Sequence, residues 1–452
     1  MQIPFVQDND RAALPFNLYP VQDQEFGYVL KQVPGLVKLA EVGRGPIREM
    51  IVAGKDLYVV SGKELYQVNS HYNATLIGTL EHPIGVAWME FNALQVMVLD
   101  QNSGFIYDIT DKSFQKITAE GFPLASSLTF IDNYFVVSVR DTERMQVSAL
   151  LDGTTWDATV FGSSDGNPDD IVMVKAIHRE VWAFNERTTE VFYDSGNADF
   201  PLERIQSAFM EVGCAAAKSV SIADNTLFWL THEGHVVRAN GYAPLNVSTR
   251  RVEREIAKCK NWSTAYSVSY VWEGHAWYGL TFPDDNLTLA YNIATNMWIR
   301  KGRFNFNCVG YSTYQWFNDT HVVGDALGNN LWAFADVNDL DGDILQRSFD
   351  SPCPRNKAKR IFYPSYELEF EAGLGTESGQ GEDPKIMLTY SDNGGKTWSS
   401  ERWLSIGKIG EYDRRGQIFR MGSGRDRIYR ATITDPVKFT GRAVHIEMVP
   451  GT

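Results

Sequence analysis

The chain is 452 residues long, and its 42 Lys and Arg against 56 Asp and Glu leave a net charge of −14. Affinity for DNA phosphates comes from basic residues that release counterions, so this balance excludes a protein that grips nucleic acid over its whole surface. Hydrophobic residues make up 44% and aromatics 13%, which is ample for a buried core and favours strands over helices.

Residues 1–46 hold no repeat. Leu14-Pro15-Phe16-Asn17-Leu18-Tyr19-Pro20 and Val33-Pro34-Gly35-Leu36 carry prolines that block a long helix. The segment reads as an extended arm that closes a ring or reaches a neighbouring subunit.

From residue 47 onward the sequence repeats itself about every 40–47 residues, with a β-rich apolar run, a turn, a second run ending in an aromatic, and a polar link. The units open near Ile47, Val86, Ala125, Ile171, Ala217, Trp262 and Val309. That period predicts an all-β fold, a β-propeller of six or seven blades over residues 47–340. In the first unit, Met50-Ile51-Val52-Ala53, Leu57-Tyr58-Val59-Val60 and Leu65-Tyr66-Gln67-Val68 read as strands separated by Gly-containing turns. The aromatics that recur at one register, such as Phe135, Trp182, Trp229, Trp277 and Phe334, are expected to pack between blades, with an aromatic ligand platform as the other reading.

Thr249 to Lys260 is the best helix candidate, because Val252 and Ile256 fall on one face. Cys214, Cys259, Cys308 and Cys353 lie about 45 residues apart, without zinc-ligand spacing, and read as buried thiols in successive blades. His232-Glu233-Gly234-His235 reads as a hairpin turn, because no third zinc ligand is legible. Asp339, Asp341 and Asp343 read as a solvated linker, because a calcium loop would need further acids at set positions. No metal and no cofactor is expected. No charged and apolar leader opens the chain, and no apolar run nears the length of a membrane span, so the protein is expected to assemble in a cytosol.

Residues 341–452 read as a second, β-rich domain. Within it Ser391-Asp392-Asn393-Gly394-Gly395-Lys396-Thr397-Trp398 is similar to the Asp-box, in which side chains hold a hairpin loop by bonding its own backbone. Ser391, Asn393, Gly395, Thr397 and Trp398 are its structural positions, with Asn393 where Asp is usual. The domain is also Arg-rich. Arg414, Arg415, Arg425, Arg427 and Arg430 are interleaved with acids and read as strand-face ion pairs or a subunit interface rather than a DNA site. A propeller glycosidase would need converging arginines, a Tyr/Glu pair and an acid. Only one box is present, so a carbohydrate-binding or sialidase-like propeller is the alternative reading, and no catalytic residue is assigned.

Four stretches, in order along the chain, resemble the tail hub or nozzle proteins of short-tailed phages, the packaged-DNA stabilisation family. They are Asn17-Leu18-Tyr19-Pro20 with Pro34-Gly35-Leu36; Thr189-Glu190-Val191-Phe192 with Pro201-Leu202-Glu203-Arg204; the Ser391–Trp398 box; and Arg425-Asp426-Arg427-Ile428-Tyr429-Arg430 with Thr434-Asp435-Pro436-Val437. The resemblance implies a non-enzymatic virion protein, assembled in the host cytoplasm as a homo-oligomer, a hexamer, below the portal-adaptor ring. It implies a tail needle or plug and tailspikes as further partners, retention of packaged DNA, and passage of double-stranded DNA without sequence-specific binding or a membrane anchor.

Overall fold

The computed structural model describes residues 2–3, 12–197, 199–356 and 359–451. Apart from Gln2 and Ile3, the first eleven residues of the arm expected at 1–46 lie outside the described residues. Two compact units are present: residues 38–286 with 310–334, and residues 1–37 with 287–309 and 335–452.

The larger unit is the propeller. Five four-stranded antiparallel sheets follow one another, beginning with Ile47–Ala53, Ala87–Phe91, Ala125–Ile131, Ile171–Ile177 and Ser221–Ala223. They are called blades 1 to 5. Blade 6 contributes the hairpin Tyr266–Trp272 and His275–Phe282, and blade 7 begins at Tyr311–Phe317. The innermost strand of blade 7 packs against that of blade 1, which closes a ring of seven. The strand that completes blade 7 comes from the start of the chain, Gly35–Glu41. Its continuation is tied to the blade by Val42 N–H donating to the Asn329 carbonyl (2.8 Å) and Asn329 Nδ2 donating to the Gly43 carbonyl (2.8 Å).

Local sequence explains the hairpins. Between first and second strands, blades 3 to 7 carry Asp132-Asn133, His178-Arg179, Asp224-Asn225, Glu273-Gly274 and Asn318-Asp319, and both residues of every pair have positive φ. A two-residue turn with both φ positive matches the twist of the strands it joins, and Asx and Gly adopt it most cheaply. His178-Arg179 departs from that preference and is held from both sides. Arg179 Nε and Nη2 each donate to Asp132 in the blade 3 turn at 3.1 Å, and His178 Nε2 lies 3.0 Å from Asn225 Oδ1 in the blade 5 turn.

The recurring aromatics do pack between blades. Tyr58 meets Tyr107 at 5.9 Å, Phe184 meets Trp229 at 5.2 Å, Phe228 meets Tyr278 at 5.3 Å and Tyr270 meets Phe334 at 4.9 Å. Burying one such side chain contributes about 1.5–3 kcal/mol, so the apolar layers between blades carry the ring. Hydroxyls stitch the innermost strands where the layers thin: Ser127 and Thr129 accept from Val174 and Ala176 N–H, each at 2.9 Å.

The expectation of four buried thiols in successive blades needs correction. Cys214 and Cys353 are buried, Cys259 and Cys308 are half-buried, and all four are free. Cys353 lies in the smaller unit, where it packs with Tyr363, Tyr366 and Tyr429. The helix is shorter than its pattern, Arg250–Ile256, capped by Thr249 Oγ1 accepting from Val252 N–H, with Val252 and Ile256 buried as their spacing implies.

The smaller unit is a β-sandwich. One sheet runs Leu18–Asp23, Gly27–Gln32, Thr440–Ile446, Ser365–Phe370, Gly416–Phe419; the other runs Arg347–Pro352, Ile428–Ile433, Lys385–Ser391, Arg402–Ser405. Ser365–Phe370 alternates half-buried and buried residues, as a strand with one face on a core must. Leu18, Leu30, Phe349, Tyr366, Tyr429 and Val444 meet in that core. Strands from both ends of the sequence thus form one domain. Asn17, at a φ of 53°, pins the entering chain by donating to the Gly302 and Gln346 carbonyls (2.8 Å each) and accepting from Gly302 N–H.

Candidate functional site

The innermost strands of the propeller enclose a cavity of about 810 Å³ on the ring axis. Five charged side chains line it: Arg48, tied to Asp100 at 2.6 Å, and four that pair with one another, Glu49 of blade 1, Glu90 of blade 2, Lys175 of blade 4 and Lys218, which sits on the one-turn helix Ala217–Ser219 that leads into blade 5. Lys175 Nζ lies 3.1 Å from Glu90 Oε1. Lys218 Nζ pairs with Glu49, donates to the Ala87 carbonyl at 2.6 Å and sits 3.8 Å over the Trp88 ring. The two pairs therefore link non-adjacent blades, 1 with 5 and 2 with 4.

Their electrostatics differ. The Glu90 carboxylate, outweighing burial, raises the pKa of Lys175. Burial lowers that of Lys218 more than Glu49 raises it, and the charges of Lys175 and Arg48 push the same way as burial. The neutral side chains satisfy one another: Gln315 Nε2 donates to the Met50 carbonyl (2.8 Å), Ser312 Oγ to that of Ile47 (3.1 Å), and Ser221 Oγ to Ser269 Oγ (2.8 Å). Such a lining braces the ring rather than holding a nucleophile beside a base.

Sequence reasoning passed over these four residues. Their signal is a charge at an inward position of an otherwise apolar first strand, as in Ala87-Trp88-Met89-Glu90, and only the ring geometry brings partners more than 80 residues apart into contact, as for Lys175 and Glu90.

In the sandwich the segment Ser391–Trp398 forms a loop closed by its own side chains. Ser391 Oγ accepts from Gly395 N–H (2.9 Å) and donates to Asn393 Oδ1 (2.8 Å). Asn393 Oδ1 also accepts from Lys396 and Thr397 N–H at 3.1 and 2.9 Å, while Asn393 Nδ2 donates to Thr397 Oγ1 at 2.8 Å. An aspartate accepts the first set, and its second oxygen would meet Thr397 Oγ1 only if that hydroxyl turned from acceptor to donor. Gly395, at a φ of 89°, supplies the turn, and Trp398 lies under the Arg430 guanidinium at 4.1 Å.

The five arginines do not form one surface. Arg427 is 1% exposed, with Nε and Nη2 both 2.7 Å from the Asp392 carboxylate and its plane over Tyr390 and Tyr363 at 4.2 and 4.5 Å. That position corrects its reading as an interface residue, because a side chain closed in by its own domain cannot meet a neighbour. Arg430 is half-buried and fork-bonded to Asp350 at 2.7 and 2.9 Å. Arg414, Arg415 and Arg425 are exposed; Arg414 pairs with Glu411 (3.0 Å) and Arg415 with Glu367 (3.7 Å).

Among the described residues no group of three or more His, Cys, Asp and Glu is arranged to hold a metal ion. His235 Nδ1 is 3.0 Å from Glu253, His232 Nδ1 accepts from Gly213 N–H (3.2 Å), and Asp339 accepts from Gly342 N–H (2.8 Å) within its own turn.

Two family profiles match. One, described as "Bacteriophage P22 Gp10, beta-propeller", covers residues 1–336, and the other, "Bacteriophage P22 Gp10, beta-sandwich", covers residues 346–449. No curated protein sequence matches. Among solved structures, a chain of the mitotic checkpoint complex is 10% identical with a TM-score of 0.44, covering 70% of this chain and 99% of that one. The extracellular domain of the putative one-component system BT4673 of B. thetaiotaomicron is 10% identical with a TM-score of 0.45, covering 89% and 57%. The N-terminal domain of Nup159 is 9% identical with a TM-score of 0.41, covering 72% and 100%. Matched in both of its domains, the chain belongs to the bacteriophage P22 Gp10 family of phage tail structural proteins, components of the virion.

Proposed function

We propose that the protein is a subunit of the phage tail hub or nozzle, which joins the portal-adaptor to the distal tail, retains packaged DNA and forms the conduit for its ejection. The observation that carries this reading is the pair of family matches, propeller then sandwich, in order along one chain. On this reading about six copies assemble in the host cytoplasm into a tube, with a needle or plug below and tailspikes at its side. The paired charges across the propeller axis brace that ring, and the conduit forms between copies. Acidic groups facing it repel phosphates and let the double helix slide without sticking, in keeping with the −14 net charge. Arg414, Arg415 and Arg425 remain available for contacts between copies.

The test is electron microscopy of DNA-filled heads that carry portal and adaptor but lack this subunit, with and without the purified protein. A short tube at one vertex and reduced DNA leakage are expected. Heads that stay bare and leaky overturn the assignment. A second test removes the tube-facing carboxylates once the tube is imaged; unchanged ejection overturns the sliding mechanism alone.

A further inference from the structure

The first hairpins of blades 6 and 7 each carry a cross-strand Trp–His pair near the tip. Trp272 stands opposite His275 beside its turn, and Trp316 stands opposite His321 one pair further in, behind Phe317 and Thr320. His321 gathers the group: its ring lies 4.5 Å from Trp316, 5.5 Å from Trp272 and 5.9 Å from Tyr314, whose hydroxyl is 3.0 Å from His321 Nδ1. Burial holds the pKa of His321 below the usual histidine range, so the group is uncharged near neutral pH. Trp316 is 50% exposed, an unusual outlay of indole for a side chain that only packs. The turns beside the two indoles add exposed Glu273, Asn318 and Asp319, and neither turn carries a basic residue.

We propose that this patch binds a neutral pyranose ring of a host-surface polysaccharide. The electron-rich face of an indole attracts the C–H edge of a sugar, while carboxylate and amide oxygens at the rim accept its hydroxyls. Glu273 and Asp319 set the class, because they repel carboxylated and phosphorylated sugars and nucleic acid alike. The inference stands apart from the tail-hub reading and survives its failure.

The test is saturation-transfer NMR on the full-length protein. The probes are methyl β-D-glucopyranoside, methyl α-D-mannopyranoside, 3′-sialyllactose and lipid-free polysaccharide from the phage host. Transfer to the C–H protons of at least one neutral methyl glycoside and of the polysaccharide is expected, with none to sialyllactose. Trp316→Ala is expected to weaken it at least tenfold and Trp316→Phe less. Trp403→Ala, which removes a 58% exposed indole in the sandwich, leaves it unchanged. Absence of transfer to the neutral sugars, or transfer unaffected in a folded Trp316→Ala protein, overturns the site. Equal transfer to sialyllactose overturns the neutral class, and binding of the simple glycosides without the polysaccharide overturns the host-surface source. A Trp316→Ala virion that loses a tail component while the wild-type protein ignores every sugar shows a protein-docking patch instead.

Discussion

The propeller axis and the sandwich both draw a cation away from water into an ion pair, and they use opposite chemistries. On the axis two lysines span open space to glutamates on distant blades, each a compact charge held at one or two points. In the sandwich Arg427 is a flat fork, doubly bonded to Asp392 and stacked on tyrosines. A guanidinium is planar and weakly hydrated, so it fits a packed core; an ammonium on a flexible stem suits a cavity that leaves part of it uncovered. A seven-bladed ring has an unavoidable hole at its centre, and paired charges line it. A sandwich has no hole, so it packs the guanidinium inside and leaves the Asp392 carboxylate at the surface.

The sharpest way to break the sandwich half of that contrast is Arg427→Ala. It removes the fork, the stacking and the bond to the Met421 carbonyl. Asp392 is partly exposed and water can take over its charge, so the cost is the lost bonds and stacking of the buried guanidinium, about 2–3 kcal/mol. Chemical denaturation should show that loss in the sandwich, and Arg427→Lys should recover little of it, because a point charge makes one bond where the fork makes two. Full recovery by lysine would mean that only the charge matters and would remove the distinction.

On the axis the corresponding change is Glu49→Gln. It leaves Lys218 with its burial cost and without its counter-charge, and a loss of about 1–3 kcal/mol is expected. Glu49→Gln with Lys218→Met should be much closer to wild type, because replacing both partners removes the desolvation cost as well. A double-mutant cycle measures the coupling. Near-zero coupling would mean that the pair fills space without bracing the ring.

Titration compares the units again. Burial lowers the pKa of Lys301, on the strand Met297–Lys301 of the smaller unit, to about 7. Between that value and the unfolded lysine pKa near 10.4 the unfolded chain carries the proton and the folded chain does not. Stability therefore rises with pH in that window, by up to about 1.4 kcal/mol per unit, and Lys301→Met should abolish the slope. Lys218, also lowered, acts in the same sense in the larger unit. Lys175, raised by Glu90, acts in the opposite sense: its contribution is present below the unfolded pKa and is lost as pH rises through the folded one. Thermal melts from pH 6 to 10 on Lys301→Met and Lys175→Met check the two signs.

How much of this was legible in the sequence follows from how local each cause is. The period announced the propeller, and three of the seven units open where their first strands begin, at Ile47, Ala125 and Ile171. The box at Ser391–Trp398 was legible because all its bonds close within eight residues. What stayed hidden was long-range. Nothing near Gly35–Glu41 announces that it completes blade 7, and nothing near Leu18–Asp23 says that it belongs with strands more than 400 residues away. Arg427 reads like its exposed neighbour Arg425, because both stand in the short link between the strands Ser423–Gly424 and Ile428–Ile433, where no periodicity says which side chain is covered. The axial pairs needed the ring to be closed before either partner had an address.

The smallest expected effect tests the most local of these structures. Asn393→Asp keeps an oxygen for the Lys396 and Thr397 N–H groups but loses the donor to Thr397 Oγ1. It also adds a third carboxylate beside Asp392 and Asp426, and Asp426 already forms a β-bridge with residue 393. The Thr397 hydroxyl can turn and donate to the carboxylate, so the cost that remains is the added repulsion, about 0.5–1 kcal/mol at an exposed site. Two backbone donors favour the ionised carboxylate and resist it, so a net loss below about 1 kcal/mol is expected. Asn393→Ala removes every bond and should cost about 1–2 kcal/mol, as losing a helix cap does. If aspartate proves the more stable of the two natural choices, the amide is not there for the hairpin, and the departure from the usual box residue must answer to something that contacts the loop from outside.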